Sequence, residues 1–120
     1  MEKKTIILGA STKPERYSNK AALRLVNAHH PVEAIGATEG KIGETTIQTG
    51  KPEIANVNTI TLYLNPQRQR EYYDYIIGLK PKRIIFNPGT ENPELRAMAE
   101  QAGIETVEAC TLVMLSMDVY

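Results

Sequence analysis

The 120-residue chain has no tryptophan, one phenylalanine and one cysteine, and its charges cancel at 14 Lys and Arg against 14 Asp and Glu. A lone cysteine forms no intramolecular disulfide, so a reducing compartment and a cytoplasmic location are the expectation. His29 and His30, adjacent in the chain, cannot build a convincing metal site with that one thiol. Zero net charge and a pI near 6.7 argue against a nucleic-acid partner held by a broad basic face. No apolar run approaches the roughly 20 residues a membrane helix needs. Ile6 to Leu8 is too short for a signal-peptide core, so no membrane partner is expected.

With 42% hydrophobic and 23% charged residues, the composition is that of an ordinary globular domain, and the length fits one domain over 1–120. The charges are nevertheless segregated. Residues 1–24 hold six basic groups (Lys3, Lys4, Lys13, Arg16, Lys20, Arg24) and two acidic ones, Glu2 and Glu15. Residues 61–120 hold six basic and eight acidic groups. Positive charge therefore gathers around the first apolar segment and the residues immediately after it.

Strand-like and helix-like patterns alternate along the chain. Thr5–Leu8 is a short apolar run ending at Gly9, suited to a strand covered on both faces. Ser18 reads as an N-cap for a helix to about His30, with Ala22, Leu25, Val26 and His29 at helical spacing. Pro31 ends it, and Val32–Ala37 is a second strand. Gly40, Gly43 and Gly50 break up residues 38–58, leaving only a short helix over Lys51–Val57. Thr59–Leu64 is a third strand; Asn65-Pro66 then supplies a cap and a first-turn proline for a helix to Leu79, burying Tyr72, Tyr73 and Ile76. Arg83–Phe86 is a fourth strand, and Asn92-Pro93 opens a helix with Leu95, Met98, Ala99 and Ala102 on one stripe. Ile104–Glu108 makes a fifth strand, and Thr111–Met117 a closing helical turn.

This alternation predicts an α/β fold: a single Rossmann-like, doubly wound parallel sheet of about five strands, three layers deep, with strand order 3-2-1-4-5. Ligands of such sheets lie beyond the carboxyl ends of the strands, beside strand one. There the chain reads Gly9-Ala10-Ser11-Thr12-Lys13. Small residues let backbone N–H groups approach a ligand, two hydroxyls offer donors, and the start of the next helix favours phosphate. Lys13 and Arg16 add positive charge. The loop is neither Gly-x-Gly-x-x-Gly, because Ser11 and Pro14 stand at the needed glycines, nor a P-loop.

In order, Ile6–Thr12 (IILGAST), Lys41–Thr49 (KIGETTIQT), Asn58–Gln67 (NTITLYLNPQ), Arg83–Pro93 (RIIFNPGTENP) and Ala99–Leu115 (AEQAGIETVEACTLVML) span nearly the whole chain. In these stretches the sequence resembles the small CoA-binding domains related to the N-terminal domain of the succinyl-CoA synthetase α subunit. The resemblance implies coenzyme A or an acyl-CoA as ligand, its pyrophosphate on Gly9–Lys13 with Gly9, Ser11 and Thr12 in contact. It puts the adenosine end near Ala37–Lys41, with Thr38 among them, and near Leu64, Asn65 and Pro66, and the pantetheine arm past Asn87, Pro88 and Gly89. Where that family reads Asn-Pro after strand two, this chain has Ala37-Thr38-Glu39-Gly40, leaving Lys41 as the candidate for the 3′-phosphate. The synthetase's phosphohistidine domain has no counterpart in these residues, so no complete catalytic site is expected.

Two other readings stand beside it. An enzyme using NAD or another nucleotide would place Glu39 on the ribose, and an interaction module would use the fold without a ligand. A thinly covered sheet face over 38–58 would favour a homodimer. His29 and His30 suit a helix end, where an imidazolium meets the C-terminal dipole. Cys110 is a small buried apolar residue or a thiol beside the ligand, and Tyr17 a candidate ring for stacking.

Overall fold

The computed structural model describes residues 2–120. It is the three-layer α/β/α arrangement anticipated, built on seven strands rather than five. The strands are β1 (Thr5–Ala10), β2 (Val32–Gly36), β3 (Gly40–Ile42), β4 (Thr45–Gln48), β5 (Thr59–Leu62), β6 (Arg83–Phe86) and β7 (Glu105–Glu108). The helices are α1 (Tyr17–Asn27), α2 (Pro66–Gln69), α3 (Tyr73–Gly78), α4 (Pro93–Gln101) and α5 (Thr111–Ser116).

The sheet order is β3-β4-β2-β1-β5-β6-β7, parallel throughout except for the β3–β4 hairpin. Counting the six parallel strands alone, the order is 3-2-1-4-5-6, one strand longer than the expected 3-2-1-4-5. Its third member, however, is Thr45–Gln48 and not Thr59–Leu62, which sits on the other side of β1. Residues 40–48 are thus a hairpin and not an irregular stretch, and Lys51–Val57 contains no helix. Two glycines and three hydroxyl or amide side chains hid a strand pair whose apolar content is Ile42 and Ile47.

Alternation along β1 explains the layering. Ile6 and Leu8 face a core with Ile60, Leu62, Ile76, Ile84, Phe86 and Leu95, under α3 and α4. Ile7 and Ala10 face the opposite core with Ala22, Leu25, Ile42 and Ile47, under α1. Parallel strands buried on both faces carry the continuous apolar runs seen in the sequence.

Three helices differ in detail from expectation. α1 starts at Tyr17 with Arg16 as its cap, so Ser18 lies inside the helix and is buried. Its inward face is Ser18, Ala21, Ala22 and Leu25, while Val26 and His29 face solvent, because small residues let the helix lie close on the sheet. The helix expected over 66–79 is interrupted by a 3-10 turn at Arg70–Tyr72. Just before the break, Gln69 is pulled inside, where its amide donates to the carbonyls of Leu64 (2.7 Å) and Thr90 (2.9 Å). Ile76 is fully buried, Tyr72 and Tyr73 only partly.

Candidate functional site

Gly9 sets the geometry at the carboxyl end of β1. Its φ is +104°, and a Cβ there would stand 3.0 Å from the Tyr63 carbonyl carbon and 3.2 Å from Leu64 Cδ2. The residue bulges out of the strand, shifting the register so that Ala10 pairs with Gly36. The chain then turns through Ser11–Glu15 and enters α1. Two bonds shape this loop: Lys13 N–H donates to Ser11 Oγ (3.1 Å), and the Asn19 amide to the Ser11 carbonyl (2.9 Å).

The start of α1 is open. Arg16 makes no side-chain capping bond, and the first turn carries no acidic residue. The N–H groups of Asn19 and Lys20 donate to the Arg16 carbonyl, leaving those of Tyr17 and Ser18 for a ligand. A cleft of about 380 Å³ lies against this turn. Gly9, Arg16, Tyr17 and Ser18 form one wall, Leu64, Asn65 and Arg68 another, and Pro88, Gly89 and Thr90 the third. Among the described residues the ion pairs are those of Arg96 with Glu100 and Glu108, so no carboxylate neutralises Arg16 or Arg68. An anion entering the cleft therefore meets two free guanidinium groups and the positive end of a helix.

The walls are held by polar contacts beneath them. Asn65 caps α2, its Oδ1 accepting from Arg68 N–H (2.9 Å), so the cap fixes where the Arg68 side chain starts. Gln69 ties the loop after β5 to the loop after β6, and Asn92 donates to Gln69 Oε1 (2.9 Å). Asn87 is fully engaged: its amide donates to Thr61 Oγ1 (2.6 Å) and the Leu62 carbonyl (2.9 Å), and its oxygen accepts from Thr111 N–H (2.9 Å). It is a brace joining β5, β6 and α5.

A second cavity of about 400 Å³ continues from the first, with Tyr17, Tyr63 and Pro88 common to both. Asn87, Cys110, Leu112 and Val113 complete its lining, and no charged side chain takes part. The Tyr63 hydroxyl is buried without a partner, since the nearby hydroxyls of Thr61 and Thr111 bond each other at 2.8 Å. Burial pushes this phenol up to about 12, so it keeps its proton across the ordinary pH range.

Of the residues expected from sequence, the structure gathers Gly9, Arg16, Leu64, Asn65, Pro88 and Gly89 around the first cleft. Ala10 is buried in the sheet, Pro66 is the first residue of α2, and Ser11, Thr12 and Lys13 follow Gly9 in the loop but line neither cavity. Thr38 and Lys41 are exposed, and Thr12 packs against Gly40 between them. Arg68, Ser18, Tyr63 and Thr90 were missed. Arg68 alone had a legible signal, the cationic third residue after the Asn65 cap.

The histidines lie elsewhere. His29 adopts φ +69° after α1, and His30 Nδ1 accepts from Lys3 N–H (2.9 Å) with its ring 5.1 Å from that of Tyr120. Burial, with Lys3 and Arg83 nearby, lowers the His30 pKa, so it is a neutral acceptor and not the imidazolium expected at a helix end. Among the described residues no group of three or more His, Cys, Asp or Glu could hold a metal ion, and no helix is long and apolar enough to cross a membrane.

A protein-family model described as a CoA binding domain matches residues 3–116. A search of curated proteins finds no match. Among solved structures, a crystal structure of an uncharacterized protein is 48% identical, covers 100% of this chain and 99% of its own, and superposes with a TM-score of 0.97. A hypothetical protein from Pyrococcus horikoshii OT3 shares the fold at 23% identity and a TM-score of 0.84, covering 97% of this chain and 83% of its own. A Thermus thermophilus protein does so at 17% and 0.83, covering 99% and 91%.

Proposed function

The chain belongs to the CoA-binding domain family, and on that premise we propose that it binds coenzyme A or an acyl-CoA at the cleft beside Gly9, with no complete catalytic site of its own. The observation that carries this reading is the uncapped start of α1, open to a cleft that holds Arg16 and Arg68 without carboxylate partners. The pyrophosphate lies on the N–H groups of Tyr17 and Ser18, between the two arginines, with Ser11, Thr12 and Lys13 closing over it. The adenosine end extends towards Thr38–Lys41 and the Asn65-Pro66 turn, with Lys41 at the 3′-phosphate. The pantetheine arm runs across Pro88 and Gly89, while Asn87 holds the loop from below.

Isothermal titration with CoA, dephospho-CoA and NAD tests the reading. Both CoA forms bind, and NAD does not compete. Arg16→Glu with Arg68→Glu weakens CoA at least tenfold, because each charge-assisted bond contributes roughly 1.5–3 kcal/mol. Both side chains are exposed, so the fold survives the change. Undiminished CoA affinity in that double variant removes the phosphate from this cleft.

A further inference from the structure

An apolar cavity adjoins the phosphate cleft. It shares Tyr17, Tyr63 and Pro88 with the cleft, so a chain leaving the phosphate site past Pro88 leads directly into it. The change of chemistry between the two is abrupt. Arg16, Arg68, Asn65 and Thr90 line the first, whereas Cys110, Leu112 and Val113 face the second. Asn87, the one amide in that lining, has its hydrogen-bonding groups occupied by Thr61, Leu62 and Thr111. The Tyr63 hydroxyl is buried, so the residue offers the cavity its ring. Nothing there compensates a desolvated charge.

We propose that this cavity receives the acyl group of a CoA thioester, and that the acyl groups it accepts are short and uncharged rather than dicarboxylic. The proposal rests on the CoA reading above and names the ligand class for the same site. An uncharged chain of a few carbons replaces water against rings, proline and aliphatic carbon, and gains affinity with each methylene buried. A terminal carboxylate would be placed against an uncharged wall with no cation to pair with.

The test is titration calorimetry with CoA, butyryl-CoA and succinyl-CoA on the intact chain. Butyryl-CoA binds about tenfold more tightly than CoA, as burial of roughly two methylenes gives. Succinyl-CoA binds no better than CoA. In Val113→Asp the ratio of butyryl-CoA to CoA affinity falls to near one. Val113 is half exposed and is the third residue of α5, where an acidic side chain suits the helix start, and an unchanged thermal midpoint certifies the fold. Equal affinities for butyryl-CoA and CoA in the unaltered chain overturn the proposal, as do a preference for succinyl-CoA or a full butyryl preference in Val113→Asp. Failure of all three ligands to bind overturns the CoA reading itself, and this proposal with it.

Discussion

Gly36→Ala should damage the protein out of proportion to the single methyl group it adds. After the bulge at Gly9, Ala10 pairs directly with Gly36, bringing two backbones close at the carboxyl end of the sheet. A Cβ on Gly36 would fall well inside 3.0 Å of the Ala10 carbonyl oxygen, 3.1 Å from Ile47 Cγ2 and 3.3 Å from the Ala10 carbonyl carbon. The obstacle is backbone in a fully buried strand, so relief requires β1 and β2 to part. Overpacking of this kind costs about 1–3 kcal/mol. Against it stands the roughly 0.4–1 kcal/mol that an alanine gains by restricting the unfolded chain. A net loss of about 1–2 kcal/mol remains, which lowers a urea midpoint by about 0.5–1 M for a protein of this size. Gly78→Ala is the matched control, since a Cβ there meets nothing within 4 Å and the change should be neutral or stabilising. Ala10 also begins the loop over the cleft, so CoA affinity should fall with stability in Gly36→Ala and hold in Gly78→Ala. A urea midpoint for Gly36→Ala equal to that of the unaltered protein would refute the reasoning.

Two other changes probe separate parts of the molecule. Asn87→Ala removes three buried hydrogen bonds, so it should cost about 2–3 kcal/mol in urea unfolding; a loss confined to CoA affinity would make Asn87 a ligand contact rather than a brace. His30 has a folded-state pKa below its ordinary 6.5, so the unfolded chain takes up the proton first. Its contribution is fully present above pH 6.5 and shrinks as the pH falls through that value towards the lowered one. Unfolding midpoints at pH 7.5 and 5.5 should therefore converge in His30→Gln relative to the unaltered protein; identical pH dependence in both would dismiss the burial of His30 as its source.

Much of the architecture was legible because its signals are local. Asn65-Pro66 and Asn92-Pro93 start α2 and α4 through caps that involve residues two or three apart. The apolar runs at Thr5–Leu8, Thr59–Leu62 and Arg83–Phe86 announce doubly covered strands by composition alone. Gly9 and Arg16 stood out for the same reason, lying within one loop of a readable strand. The β3–β4 hairpin was not legible, since two isoleucines among glycines and threonines carry little periodicity, and it takes its place only by pairing with β2.

From sequence alone, then, come the alternation of strand and helix, the position of the phosphate-compatible loop and the resemblance that points to CoA. Tertiary structure decided which strand lies beside β1, and with it which loops meet at the cleft. It brought Arg68 opposite Arg16 across 52 residues of chain, made Asn87 a brace between β5 and α5, and set an apolar cavity beside a cationic one. The physical reason is range. Capping and periodicity act over a few residues and leave a mark in them, whereas strand neighbours and converging side chains are selected by the packing of both sheet faces at once.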